Sequence, residues 1–112
     1  MAQAGVADRR KPSRKREQLR ALAVSKDGTK KVDCRIEDLS AVGARVFINK
    51  GQVIPEHFYF IIAGKETGFE ATVAWSRAQE YGLQFTRAFQ LEGLKNTDLA
   101  FLRQLKLERL RV

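Results

Sequence analysis

Alternation of apolar and polar residues with a period of two recurs between residues 19 and 85, and it constrains the fold more than any other feature. The clearest segment is 69–76, where Phe, Ala, Val and Trp alternate with Glu, Thr, Ala and Ser. Such alternation is typical of strands with one buried face. Together with the intervening turn residues, it predicts six strands, at 19–24, 32–37, 44–48, 57–63, 69–76 and 81–85. Short strands spaced this way favour an antiparallel sandwich or barrel, and closure into a six-stranded antiparallel β-barrel leaves no exposed edge.

The end of the chain, residues 91–112, predicts a linker followed by an amphipathic helix. Asn96 or Thr97 is a suitable N-cap, and the helix is expected over 97–110. Leucines at 99, 102, 105 and 110 form a broad apolar stripe on it. The fold class is therefore all-β with a C-terminal helix. The stripe fits two roles: packing on the barrel, or binding a partner or a second copy of the chain.

Positive charge is concentrated at the N-terminus. Residues 1–31 contain ten basic and three acidic residues, so they carry +7 of the formal net charge of +8. We expect residues 1–8 to be disordered. We expect residues 9–16, which Pro12 interrupts, to form an extended basic arm of a domain that spans 9–90. This asymmetry indicates an anionic partner, although a solubilising tail has the same composition.

Two further properties exclude whole classes of protein. The sequence begins without a signal-peptide pattern and has no apolar run of about 18 residues, so we expect a cytoplasmic protein that does not insert into a membrane. Cys34 and His57 are single residues of their types, too few for a disulfide or for the roughly four ligands of a structural zinc site. Cys34 is expected to be a buried core residue, and His57 a loop or strand-edge residue.

No combination of residues in the sequence indicates catalysis. Metal-ligand clusters, a nucleophile–base pair and a glycine-rich phosphate loop are all missing from the pattern. We therefore expect a protein that is not an enzyme and that holds no cofactor, apart from any ligand that it senses.

Three arginines of the basic arm are candidate ligand-binding residues: Arg9, Arg10 and Arg14. A guanidinium group is planar and always charged, and it forms two parallel hydrogen bonds with a phosphate or with the O6 and N7 atoms of guanine. Lysine supplies the charge but not this geometry. Three arginines on one arm therefore suit a small anionic ligand that carries a base.

The segment from Asp38 to Gly43 is predicted to be a turn with chemistry that complements the arm. A carboxylate at Asp38 can accept hydrogen bonds from guanine N1–H and N2–H₂, and the Ser40 hydroxyl can donate to a phosphate or a base. Gly43 supplies a conformation or a closeness that a β-carbon would forbid. The alternative is structural, since Asp and Ser commonly bond their own backbone in turns.

The two signatures, Arg10-x-x-x-Arg14 and Asp38-x-Ser40-x-x-Gly43, follow each other in the order and strand context of a known family. The chain resembles the PilZ domain, whose signatures are RxxxR and (D/N)xSxxG. Val73-Ala74-Trp75 and Tyr81–Phe85 also resemble the later strands of that family. The resemblance implies a six-stranded barrel that binds cyclic di-GMP, with a flexible arm that folds over the ligand. Trp75 is a further candidate near the site, although its alternation with the apolar series favours the core.

Two functional hypotheses follow. The first is a non-enzymatic cyclic di-GMP receptor that acts as an adaptor in bacterial signalling and presents a new surface to a downstream protein partner when the arm closes. The alternative is a small basic barrel that binds RNA or single-stranded DNA, which is disfavoured because most aromatic residues fall in buried positions of the pattern.

Arg16 and Arg20 repeat the RxxxR spacing, but Arg20 falls within the first strand. Binding of one nucleotide or of a stacked pair stays open.

Overall fold

The computed structural model describes residues 19–94 and 99–110. Six strands are followed by a short 3-10 turn, Leu91–Leu94, and by helix α1, Ala100–Arg109. The strands are β1 Leu19–Ser25, β2 Lys31–Leu39, β3 Gly43–Ile48, β4 His57–Ile62, β5 Thr67–Arg77 and β6 Glu80–Gln90. All six predicted strands are therefore confirmed.

The strands form one closed antiparallel barrel in the order β1-β2-β3-β6-β5-β4. β1 closes it by pairing with β2 on one side, where Leu19 lies opposite Ile36, and with β4 on the other, where Ala23 lies opposite Phe60. Closure gives every strand a neighbour on both sides, so that no backbone edge is left for another chain to pair with. The predicted fold class is confirmed.

The barrel interior is filled by the inward-facing members of the alternating pattern. They form one cluster of buried side chains that includes alternate residues from β1, β2, β3 and β4: Ala21, Ala23, Val32, Cys34, Ile36, Ala44, Val46, Ile48, Phe58, Phe60 and Ile62. Phe69 and Phe85 stack inside the barrel with ring centroids 4.0 Å apart. This period of two is what orients the outer residues, among them those of the candidate site.

A second apolar cluster lies outside the barrel, where α1 covers β1 and β4. Leu102 and Leu105 of α1, together with Leu110, pack against the outward side chains Leu22 and Ile61. β1 and β4 are therefore buried on both faces, which explains why their sequences are almost continuously apolar. Of the two roles left open for the leucine stripe, the structure supports packing on the barrel.

Three element boundaries differ from the prediction. β2 continues to Leu39, so Asp38 lies in a strand and not in the turn. β6 continues to Gln90, because its polar second half pairs with the start of β5 although it shows no clear alternation. α1 begins at Ala100 after Leu99, which makes no side-chain capping hydrogen bond, whereas the predicted caps Asn96 and Thr97 lie outside the described residues.

The outer cluster predicts a contrast between two leucines of α1. Leu102 is fully buried against the barrel, whereas Leu107 is 56% exposed on the same helix. We expect Leu102→Ala to lower the free energy of unfolding by about 2–5 kcal/mol, because it removes buried methyl groups and leaves a cavity. Leu107→Ala, the matched control, should change it by less than about 0.5 kcal/mol. Denaturant unfolding measures both, and equal losses would contradict the packing of α1 on the barrel.

Candidate ligand-binding site

A β-bulge turns Asp38 to the outside of the barrel. Ile36 pairs with Val46 and Asp38 pairs with the next residue, Arg45, so β2 contains one extra residue at Glu37. Without this insertion Asp38 would continue the inward series of Val32, Cys34 and Ile36. A bulge shifts the phase of the pleat by one residue and re-aims the side chains that follow it. The carboxylate of Asp38 is consequently 69% exposed.

A second bulge has the same effect on Trp75. Val73 pairs with Leu83 and Trp75 pairs with Gly82, so β5 contains one extra residue at Ala74. The expectation that Trp75 continues the inward series from Phe69 is therefore wrong, since the insertion moves the indole to the outer face, where it is 44% exposed. The ring lies directly over Gly82, and a β-carbon at that position would overlap the indole.

The two bulges align four residues in one row across four adjacent strands. Asp38 of β2 pairs with Arg45 of β3, Arg45 pairs with Gly82 of β6, and Gly82 pairs with Trp75 of β5. At about 4.8 Å between strands, the row is roughly 14 Å long. We call it the outer row. It brings together Asp38 and Trp75, two predicted site residues that are 37 positions apart in the sequence.

Arg45 belongs to the outer row but was not among the predicted site residues. Its Nε and Nη2 atoms each lie 2.7 Å from Oδ2 of Asp38, and its Nη1 donates to Glu80 of β6. The hydrogen bond to Glu80 and then that to Asp38 raise the pKa of Arg45 above its ordinary value. The alternation of residues 44–46 indicates that Arg45 faces outward, between the inward residues Ala44 and Val46. Its partners could not be predicted, because they depend on which residues lie opposite it on β2 and β6.

The β2–β3 turn is held together by Ser40. The backbone N–H groups of Val42 and Gly43 donate to Oγ of Ser40 at 3.2 Å, and the N–H of Ser40 donates to the carbonyl of Gly43 at 2.9 Å. The Ser40 hydroxyl in turn reaches the same carbonyl at 3.3 Å. The structural role considered for this serine is therefore present, and it places the turn beside the outer row.

Of the two roles expected for Gly43, a special conformation or a close contact, the structure shows the close contact, since β3 approaches β6 there. A β-carbon on Gly43 would overlap the carbonyl oxygen of Leu83 on the neighbouring strand. The close approach lets the turn bond to β6 through the N–H of Phe85, which donates to the carbonyl of Val42 at 2.9 Å. Any side chain at position 43 would push the turn away from β6.

Gly43→Ala should therefore destabilise the fold. We expect it to lower the free energy of unfolding by about 1–3 kcal/mol, because the added methyl group meets backbone that cannot move aside. Gly93→Ala is the matched control, since a β-carbon there has nothing within 4 Å. Thermal and denaturant unfolding compare the two, and an unaffected Gly43→Ala variant would contradict the close approach.

The turn and the outer row border a shallow depression of about 190 Å³, lined by residues 38–40 and 43–45. Positive charge extends beside it: Arg20 of β1 lies opposite Arg35 of β2, and both are exposed. Arg20 belongs to a strand, as predicted, and its Nη2 donates to the carbonyl of Arg109 at 3.0 Å.

The remaining predicted site residues lie on the arm. Arg9, Arg10 and Arg14 are outside the described residues. The chain enters the barrel at Leu19, which pairs with Ile36 of β2, two positions from Asp38. Leu19, where the described part of the chain begins, thus lies near the Asp38 end of the outer row.

The isolated cysteine and histidine occupy the positions expected for them. Cys34 is buried in the barrel core, and desolvation raises the pKa of its thiol to about 12. His57 is the exposed first residue of β4. Among residues 19–94 and 99–110, no three His, Cys, Asp or Glu side chains are grouped as metal ligands would be.

Comparison with known proteins agrees with this architecture. The family model of the PilZ domain matches residues 8–97, which include both signatures, all six strands and the outer row. The chain therefore belongs to the PilZ domain family. Proteins of this family are cyclic di-GMP-binding signalling adaptors. Neither a curated protein nor a solved structure matches the chain significantly. Within the part of the chain that the structure describes, no helix has the length and apolarity needed to span a membrane.

Proposed function

We propose that this chain is a non-enzymatic cyclic di-GMP receptor in which the basic arm, residues 9–16, closes over the ligand against the outer row and the Ser40–Gly43 turn. Closure presents a new surface to a downstream protein. The observation that carries the proposal is the outer row itself, because two bulges expose a carboxylate and an indole in one row, whose Asp38 end lies near Leu19. Family membership supplies the ligand class.

The arm is long enough for this role. Arg14 precedes Leu19 by five residues, which span at most about 17 Å when extended. Asp38 lies two residues beyond the strand partner of Leu19, or roughly 7 Å along β2. Arg10, nine residues before Leu19, has a larger range. Arg9, Arg10 and Arg14 can thus reach a ligand on the outer row, where they neutralise its two phosphates and bond the O6 and N7 edge of a guanine.

The barrel contributes the groups that recognise the base. Asp38 offers an exposed carboxylate to guanine N1–H and N2–H₂, which are donors that adenine lacks at these positions. The Ser40 hydroxyl bonds Gly43 at the long distance of 3.3 Å, so its hydrogen can turn to a ligand oxygen while its oxygen still holds the turn. Trp75 provides a flat apolar surface on which a base can stack.

The competing hypothesis of a general nucleic-acid binder finds less support. Such barrels expose several aromatic side chains on which successive bases stack. Among the described residues, most aromatic rings belong to the two apolar clusters, and Trp75 is the large exposed one. One exposed indole suits a compact ligand better than a strand of many bases.

Calorimetric titration with cyclic di-GMP tests the proposal through its charged residues. We expect Arg14→Ala to abolish binding and Asp38→Ala to weaken it severely, by about tenfold or more, since each loses a charge-assisted hydrogen bond. Arg103→Ala is the control for net charge, because Arg103 lies on α1, whose apolar cluster includes none of the four residues of the outer row. Unchanged affinity in Arg14→Ala would overturn the assignment.

Competition separates the two hypotheses directly. Cyclic di-GMP and a single-stranded RNA are titrated against each other at two salt concentrations, while a proton–nitrogen correlation spectrum is recorded. Specific binding should favour the cyclic dinucleotide at both salt concentrations and shift resonances of the arm and of residues 38–43 together. Preference for RNA that falls steeply with salt, with shifts in the arm alone, would favour the nucleic-acid binder.

Trp75 gives an independent optical test, since it is the single tryptophan of the chain. Stacking of a guanine on an indole that is 44% exposed should quench and shift its fluorescence as cyclic di-GMP is added. Asp38→Ala should move this titration to higher ligand concentration without changing the emission of the free protein. An emission spectrum that stays constant through saturation would place the ligand away from Trp75.

A further inference from the structure

Arg45 connects Asp38, the proposed ligand-binding carboxylate, to the more buried carboxylate of Glu80. Glu80, whose side chain is 14% exposed, accepts from Nη1 of Arg45 and also lies 3.6 Å from Nη2 of Arg77. The side chain of Arg45 is 39% exposed. Of its two carboxylate partners, Asp38 is more exposed than Glu80. The guanidinium is therefore held from the Glu80 side, and it presents its Nε and Nη2 atoms to Asp38.

This arrangement uses the two oxygens of Asp38 differently. Nε of Arg45 donates to Oδ2, and Nη2 lies 2.7 Å from the same oxygen, so both nitrogens face Oδ2 and not Oδ1. Among the described residues, no hydrogen bond is made to Oδ1. The planar, rigid fork of arginine fixes the direction of a carboxylate, which a flexible lysine would not do. Oδ1 is thereby left as the acceptor that a ligand meets.

We propose that Arg45, anchored by Glu80, is a positioning residue that determines base specificity by holding Asp38 with Oδ1 directed at the guanine donors. This inference rests on the proposed function and names the residues that make the carboxylate selective. A fixed carboxylate bonds guanine N1–H and N2–H₂ but faces the unprotonated N1 of adenine, which repels it. A carboxylate free to rotate can instead accept from the adenine N6 amino group, so selectivity falls when the anchor is lost.

A double-mutant cycle tests whether Arg45 acts through Asp38. Affinities for cyclic di-GMP and cyclic di-AMP are measured for the wild type, Arg45→Gln, Asp38→Ala and the double variant. Arg45→Gln should weaken cyclic di-GMP binding about tenfold in the wild-type background and less than about twofold in the Asp38→Ala background. It should also reduce the preference for cyclic di-GMP over cyclic di-AMP by about fivefold or more.

Two further variants serve as a charge control and as an independent test of the Arg45–Glu80 ion pair. Arg77→Gln removes the same charge from a group that approaches Glu80 but is not bonded to Asp38, and it should change affinity less than about twofold. Glu80→Gln weakens the ion pair that holds Arg45 and keeps Arg45 itself. It should therefore also reduce the preference for cyclic di-GMP over cyclic di-AMP. If Arg45→Gln does not fold, this variant still tests the inference. Circular dichroism melting establishes that each variant is folded.

The outcomes distinguish this inference from the proposed function. One outcome would overturn this inference alone. In it, the wild type binds cyclic di-GMP and Asp38→Ala weakens binding, but Arg45→Gln and Glu80→Gln change neither the affinity nor the preference over cyclic di-AMP. Equal losses from Arg45→Gln in both backgrounds would also overturn it, because Arg45 would then act independently of Asp38. Absence of cyclic di-GMP binding by the wild type would overturn both.

Discussion

Pairing of β1 with β4 closes the barrel, and this closure limits where each side chain of the strands can lie. Because each strand is paired on both sides, its residues have only two environments, the interior and the outer surface, and they alternate between them. The outer surface is then divided between two uses. α1 covers β1 and β4 with leucine side chains, whereas the outer row crosses β2, β3, β6 and β5.

Within a closed barrel, an inserted residue is the available way to move a side chain from the interior series to the surface. The bulges at Glu37 and Ala74 do this on the two strands that flank β3 and β6. They turn outward a carboxylate and an indole that the alternation would have placed inside. A carboxylate in the barrel core would carry a large desolvation cost, so the bulge at Glu37 also keeps the core apolar.

Charge is divided between the barrel and the N-terminal segment in a way that suits a dianionic ligand. On the outer face, Asp38, Arg45, Glu80 and Arg77 alternate in sign and balance one another. Six basic and two acidic residues precede β1, so residues 1–18 carry +4 of the net charge of +8. Attraction of phosphates is thus the proposed task of the arm, and discrimination among bases that of the outer row, where fixed hydrogen-bonding groups can select partners.

Sequence patterns were sufficient to predict the six strands, their inward residues such as Cys34 and Val46, the need for glycine at position 43, and the family to which the chain belongs. They were sufficient because alternation and turn chemistry are local properties, which a short segment carries whatever its partners are. Four features could not be predicted in this way, because they depend on contacts between strands: the outward positions of Asp38 and Trp75, the pairing of Arg45 with Asp38 and Glu80, and the second half of β6. Each depends on which residue lies opposite on the next strand, and a single inserted residue changes that register without leaving a mark in the local pattern.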